Sequence, residues 1–253
     1  MAPIEIADFE SQGVTLTPAS DVDFDARAQA ILAGNAAPVL ELKPYLAIVR
    51  NGNARTVVAY AIQWETTLRN GTSEFQYTQF KFPDAVAGTG NGLALLEGRE
   101  IRTGEERLAG MGFEAWPPEY ASTYRDYGLA AVTHLGVAAS LRVALDAVVF
   151  DDGAMLGRDR SRLAEHFIEF VHAKQSLYRE IVVGLETGDG LDAVVAPVRG
   201  ALARRQVGPP DRMEDYRRQA ASEILKFHNR VALEVFRRTL RREPFTIRRL
   251  SER

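Results

Sequence analysis

The apolar positions of this chain change rhythm once, between Phe150 and Asp159. Ahead of that point they alternate in short runs, and behind it they recur at spacings of three and four. From Val57 to Glu65, Val58, Tyr60, Ile62 and Trp64 fall on one side while Val57, Ala59, Ala61, Gln63 and Glu65 fall on the other, the two-residue period of a half-buried strand. Leu46 to Arg50 is apolar and β-branched, and Asn51-Gly52-Asn53-Ala54 supplies a turn into that strand. Asn70-Gly71 is a second turn, leading to a strand over Phe75 to Phe82 whose side-chain phase slips between Tyr77 and Phe80 and so predicts a bulge. Further strands are expected at Glu97 to Arg102, Arg107 to Met111 and Leu141 to Phe150. Pro83, Gly88, Gly90, Gly92 and the Arg102-Thr103-Gly104-Glu105 turn punctuate them.

Helical signals flank this region. Ser20, Asp21 or Asp23 can cap a short helix over Ala26 to Leu32 that Gly34-Asn35 stops. Beyond Asp159, Leu163, Phe167, Phe170, Lys174, Leu177 and Ile181 form one seam of a long helix, with Asp159 or Ser161 as its cap. A second helix is expected from Leu191 toward Arg205, with Pro197 awkward near its start. A third begins around Pro210-Asp211 and runs through Met213, Tyr216, Ala220, Ile224, Phe227, Val231 and Val235 until Pro244. The segment between the two rhythms holds a single turn signal among Phe150, Met155 and Leu156. It reads as a tight turn plus a helix cap rather than a linker or an acidic metal loop.

The pattern predicts an α+β fold. Residues 1–157 form an antiparallel β-sandwich-like portion with a short N-terminal helix, and residues 158–253 form a three-helix portion packed on it. Ile48-Val49-Arg50-Asn51, a few polar residues and then Val57 to Trp64 resemble the early strands of bacterial immunoglobulin-like domains. The resemblance covers residues 46–65, about a tenth of the chain, and implies a sandwich with Trp64 as a core tryptophan; the cysteine pair of such domains is missing.

Composition narrows the function classes. Hydrophobic residues at 46% and charged residues at 26% are the balance of an ordinary folded protein, and no apolar run reaches the roughly 18–20 residues of a membrane span. The absence of cysteine removes disulfides, thiolate metal sites and a cysteine nucleophile. A net charge of −3 argues against a nucleic-acid surface. Met1 to Asp8 lacks the basic and apolar regions of a signal peptide, so the chain reads as soluble and cytoplasmic by default, although a removed leader would leave no trace. Acidic residues crowd the first part of the chain and arginines the last; a solvated helix end suited to the helix dipole explains the latter, with an acidic partner as the other reading.

Motifs for chemistry are sparse. Asp21-x-Asp23-x-Asp25 lacks the glycine and glutamate of a calcium loop, and Gly88-Thr89-Gly90-Asn91-Gly92 lacks the lysine of a phosphate loop. Glu169 and His172 make a Glu-x-x-His step with no second copy, so no metal is expected, and neither is any organic cofactor. There is no Gly-x-Ser-x-Gly elbow, and His134 reads as structural.

The stretch from Phe113 to Gly128 stands out, because Trp116, Tyr120, Tyr124 and Tyr127 are polar-tipped aromatics suited to contact surfaces, in a region without regular periodicity. The expected function is a non-catalytic binding or structural module that contacts a protein partner through this aromatic loop or a helical face. The alternative is a hydrolase assembled from distant residues, with Glu114, Glu119 and Asp126 as acid and base groups. A domain anchored in a cell-surface assembly is a third reading by fold analogy. Oligomeric state is open.

Overall fold

A computed structural model describes residues 5–7, 9–87, 100–115, 120–132, 138–187, 190–203, 211–227 and 245–250. It is a mixed α+β structure whose two compact units are both discontinuous in sequence. Unit 1 comprises Met1–Phe80, Ile101–Leu163 and Arg249–Arg253, and unit 2 comprises Lys81–Glu100 and Ala164–Arg248. No helix of the described residues is long and apolar enough to cross a membrane.

Unit 1 is built on two sheets. One holds β2 (Val14–Pro18), β3 (Leu46–Asn51), β6 (Glu106–Gly110) and β7 (Phe113–Glu114) in the order β2-β3-β6-β7, each described pair antiparallel. The other holds β1 (Glu5–Ala7), β4 (Val57–Leu68), β5 (Ser73–Lys81), β8 (Ala138–Phe150), β9 (Ala154–Gly157) and β10 (Arg248–Arg249), ordered β10-β9-β8-β4-β5. In this second sheet β1 pairs with β8 in parallel, a departure from the expected all-antiparallel arrangement.

Sequence and burial agree closely in the central strands. In β4 the stretch from Ile62 onward alternates as its sequence predicts, with Trp64 and Thr66 buried and Gln63 and Glu65 half-buried. Val57 to Ala61 are buried on both faces, because the second face carries only Val57 and small alanines that an opposing layer can cover. The bulge expected in β5 is not needed. Thr78 and Phe80 are buried in simple alternation, and the apolar phase slips in the sequence only because polar Thr78 occupies an inward position. Its Oγ1 accepts hydrogen bonds from Trp64 Nε1 and from Gly112 N, each at 3.1 Å, which satisfies donors that burial would otherwise orphan. Of the strand expected at Glu97 to Arg102, residues 100–102 are described, and of these Ile101 makes a single bridge to Val57; residues 97–99 lie outside the described residues.

One face of the β2-β3-β6-β7 sheet is covered by helices. Phe24 and Ala28 of α1 (Phe24–Ile31), Val39 of α2 (Ala37–Leu40), and Ala121 and Tyr124 of α4 (Ala121–Val132) cluster with Leu46, Ile48, Leu108 and Phe113. Each large apolar side chain fully buried in this way contributes roughly 1.5–3 kcal/mol relative to exposure. Helix α4 crosses the stretch that the sequence leaves aperiodic. Its buried stripe is Ala121, Tyr124 and Gly128, and a Cβ at Gly128 would lie 2.3 Å from Leu42 Cδ1 and 2.7 Å from Phe113 Cε1, so only glycine packs there.

Unit 2 contains α3 (Asp84–Ala87), α5 (Leu163–Glu186, whose first residue belongs to unit 1), α6 (Gly190–Ala203) and α7 (Arg212–Phe227). The seam predicted for α5 is buried throughout, Lys174 included, whose ammonium lies 5.2 Å from the Phe170 ring centroid. Pro197 falls inside α6 rather than near its start. Asp211 starts α7, its Oδ1 accepting from Met213 N at 2.9 Å. The continuation expected through Val231 and Val235 lies outside the described residues.

Candidate functional site

The segment where the rhythm changes helps to build a cavity within unit 1. Asp151-Asp152-Gly153 is the expected turn: Gly153 N donates to Phe150 O at 2.9 Å and Asp152 Oδ1 accepts from Ala154 N at 2.9 Å. The chain then continues not into a helix cap but into strand β9, which returns antiparallel along β8 through Ala147↔Gly157, Val148↔Leu156 and Val149↔Met155. Short strand β1 pairs with the same edge of β8, through Glu5↔Arg142, Ile6↔Val143 and Ala7↔Ala144. Leu145 and Asp146 therefore lie in a gap between the two strands.

On its other edge β8 is irregular at the same place. Ile62 pairs with Leu145 and Ala61 with Ala147, which makes Asp146 the extra residue of a β-bulge. Bulges re-aim side chains, and this one gives a buried carboxylate, 5% exposed, to the loop after β9. Asp146 Oδ1 accepts Arg160 N at 3.0 Å and Oδ2 accepts Ser161 N at 2.8 Å. Its backbone oxygen accepts Arg158 N at 3.0 Å and Asp159 N at 3.3 Å. One residue thus holds four consecutive amides.

The loop it holds has an unusual backbone. Gly157, Asp159 and Arg162 have φ of 93°, 56° and 60°. A Cβ at Gly157 would stand 2.2 Å from Asp146 O and 2.6 Å from Phe9 Cζ, so the close approach requires glycine. Asp159 sits in left-handed backbone ahead of α5, and Ser161 Oγ is buried without a hydrogen-bond partner, so the Ser161 hydroxyl does not cap α5.

The cavity has a volume of about 440 Å³ and is lined by Phe9, Gln12, Gln63, Arg142, Ala144, Leu145, Asp146, Leu156, Gly157, Arg158 and Arg160. Arg142 projects from β8 and lies 3.7 Å from Glu65. Arg158 and Arg160 come from the clamped loop. Arg160 also hydrogen-bonds the Tyr77 hydroxyl, which donates to Gln63 Oε1 at 3.3 Å; burial pushes the Tyr77 phenol above its ordinary pKa and the Asp146 charge adds to this. Asp146, the carboxylate lining the cavity among the described residues, spends both oxygens on backbone amides. The cavity thus has three arginines in its lining, of which Arg142 also lies beside Glu65 and Arg160 beside Tyr77.

The residues singled out by sequence are distributed differently. Trp116, Glu119 and His134 lie outside the described residues, as does the Gly88 to Gly92 loop. Tyr120, the residue before α4, and Tyr127 within it are 54% and 60% exposed. Tyr124 is in the core, stacked on Phe113 with centroids 6.1 Å apart. Glu114 accepts the Tyr60 hydroxyl at 2.6 Å, and burial together with the Glu114 charge pushes that phenol well up. Asp126 is exposed beside Arg125 at 3.4 Å. Glu114 and Asp126 therefore stand in different settings, one turned inward to a phenol and the other in solvent.

A second polar cluster lies within unit 2. Arg212 of α7 donates to Glu165 Oε1 at 2.6 Å, to Glu169 Oε1 at 3.1 Å and to His166 Nε2 at 2.7 Å, all on α5. A guanidinium only donates, so His166 is the neutral tautomer with its proton on Nδ1. Burial lowers the His166 pKa, helped by Lys81 and Arg212. Glu169 is thus engaged in an ion pair, and no group of three or more metal-ligating side chains occurs among the described residues. This cluster fastens α7 to α5.

No family model matches the chain, and no curated protein or solved structure matches it either. The arginine cavity was not found from sequence because Arg142, Arg158 and Arg160 follow no motif. The only local sign was Gly157 beside charged residues at the end of an apolar run.

Proposed function

We propose that the chain is a binding module that holds a small negatively charged molecule in the cavity lined by Arg142, Arg158 and Arg160. The observation that carries this is that three arginines line one cavity whose own carboxylate, Asp146, is committed to the amides of Arg160 and Ser161. The volume, about 440 Å³, is that of a small-molecule site. A strained loop held by one buried residue is also how binding proteins fix charged side chains in place.

Thermal unfolding at constant ionic strength tests the reading. Citrate or sulfate at about a hundredfold above its dissociation constant should raise Tm by about 5–11 °C over chloride. Arg158→Ala should remove that rise; equal shifts in parent and variant would sink the proposal.

Contact with a protein partner is the second reading, favoured by the exposure of Tyr120 just before α4 and of Tyr127 within it. Equal recovery of every partner by the parent and by a Tyr120→Ala, Tyr127→Ala variant would end it. A hydrolase using Glu114, Glu119 and Asp126 draws less support, since Glu114 is bonded to Tyr60. In the same proposal unit 1 is read as sandwich-like, which the Tyr60–Glu114 bond between β4 and β7 and the complete burial of Trp64 support.

A further inference from the structure

We infer that Asn70 and Gly71, in the turn between β4 and β5, form a site of self-modification promoted by Thr72, at which the Gly71 amide displaces ammonia from the Asn70 side chain and leaves an aspartyl or isoaspartyl bond. The chain holds three Asn-Gly pairs, beginning at Asn51, Asn70 and Asn91. A glycine after asparagine lets the backbone amide approach the side-chain carboxamide with no Cβ in the way. Asn91 lies outside the described residues, and the structure separates the other two.

Asn51 is held against the reaction. It is fully buried, and its Nδ2, the atom that would leave, donates to Arg55 O and to Ile101 O, each at 2.8 Å. The nucleophile there, Gly52 N, donates to Gly13 O at 2.6 Å. Ring closure at Asn51 would break all of these bonds around a buried side chain.

Asn70 is placed the other way. It and Gly71 are exposed, as are Arg69, Thr72 and Ser73. The bonds described for Asn70 engage its oxygen: Oδ1 accepts from Thr72 N at 3.0 Å and from Thr72 Oγ1 at 2.6 Å. Two donors on a carboxamide oxygen draw electron density from its carbon and stabilise the oxyanion that forms when that carbon is attacked. Gly71 N donates to Leu68 O at 3.0 Å, and Leu68 N donates to Thr72 O at 2.8 Å. The Gly71 bond must open before its nitrogen can attack, and at an exposed hairpin end such opening lies at the low end of local unfolding free energies.

The steps balance with water as the co-reactant and no change of oxidation state. Hydroxide takes the proton from Gly71 N, the nitrogen bonds to Asn70 Cγ, and Nδ2 takes up a proton and leaves as ammonia. The five-membered imide then adds one water at either carbonyl, giving aspartate or isoaspartate. In the second product the main chain runs through the side-chain methylene, so the Leu68 and Thr72 rung of the hairpin no longer closes at its present spacing.

Incubation of the full chain at physiological temperature and mildly alkaline pH tests the assignment, with peptides mapped by mass spectrometry and the aspartyl and isoaspartyl forms separated by chromatography. Conversion at Asn70 should run about tenfold or more faster than at Asn51. In concentrated urea, where both pairs are unfolded, that difference should disappear. Thr72→Val keeps the backbone donor and removes the hydroxyl, so it should slow Asn70 several-fold, and Thr72→Ser should restore the parent rate. Conversion of Asn70 no faster than Asn51 in the folded chain would overturn the site, and a difference that persists in urea would overturn its structural cause. Equal rates in the parent and in Thr72→Val would overturn the part given to Thr72.

Discussion

Asp146 shows how much one side chain can organise at the residue scale. Its carboxylate accepts two backbone amides from a position that a β-bulge has turned toward the loop, and it is 5% exposed. Asp146→Asn keeps the size but replaces one acceptor oxygen by an amide that must face a backbone N–H. With one buried donor left unsatisfied, the expected loss is about 1–3 kcal/mol in urea denaturation, together with loss of anion-dependent stabilisation. Normal stability with normal anion binding would show that the loop does not depend on the clamp. Gly157→Ala should be at least as damaging, because its φ of 93° and the 2.2 Å approach to Asp146 O leave the new methyl no room. Tyr60 makes a contrasting case. Its phenol is held well above its ordinary value by burial and by Glu114, so the folded state keeps the proton that the unfolded state releases near pH 10. Stability from this group is complete below that pH and declines as pH rises above it. Tyr60→Phe should therefore lose stability less steeply with rising pH above about 10 than the parent, measured by circular dichroism.

Among the elements, legibility followed the strength of the period. The α5 seam could be read to the residue because six positions at three-four spacing leave one solution, and even Lys174 fell in place with its stem buried and its charge against Phe170. The inner face of β4 was equally clear. Helix α4 was hidden because its stripe consists of an alanine, a tyrosine and a glycine, and glycine is chosen there for the closeness of Leu42 and Phe113, a tertiary demand invisible in the local pattern. Strand β9 was hidden because all four of its residues are buried, so nothing alternates. Pairing between elements also sets a pH response in unit 2. His166 must be neutral to accept from Arg212, and its pKa is lowered, so the unfolded state takes up a proton before the folded state does. Stability from this group is therefore full above the unfolded value near 6.5 and is lost as pH falls below it. Helical thermal unfolding should occur at lower temperature as pH drops from about 7 to about 5, and His166→Gln, which retains an acceptor, should flatten that dependence. An unchanged slope in the variant would assign the acid response elsewhere.

At the level of the whole molecule, the chain enters, leaves and re-enters each unit, so order in sequence is a poor guide to spatial grouping. Leu250, at the far end of the chain, donates to Met155 O of β9 at 2.8 Å, a pairing no local rhythm could announce. The anion cavity has the same character, since its lining comes from Phe9 and Gln12, from β4, from β8 and from the loop after β9. Such a site is specified by long-range register and by no local motif. This distribution predicts where a ligand will be felt. The amides of Arg158, Asp159, Arg160 and Ser161 all donate to Asp146, so they open as one set and should gain protection from hydrogen exchange together when an anion neutralises the arginines. Gly153 N, bonded to Phe150 O, belongs to the turn at the other end of β9 and should exchange as before. Exchange measured by mass spectrometry with and without citrate checks this. Protection spread evenly over both units would mean general salt stabilisation, whereas protection confined to the four clamped amides and their neighbours would place the ligand in the cavity.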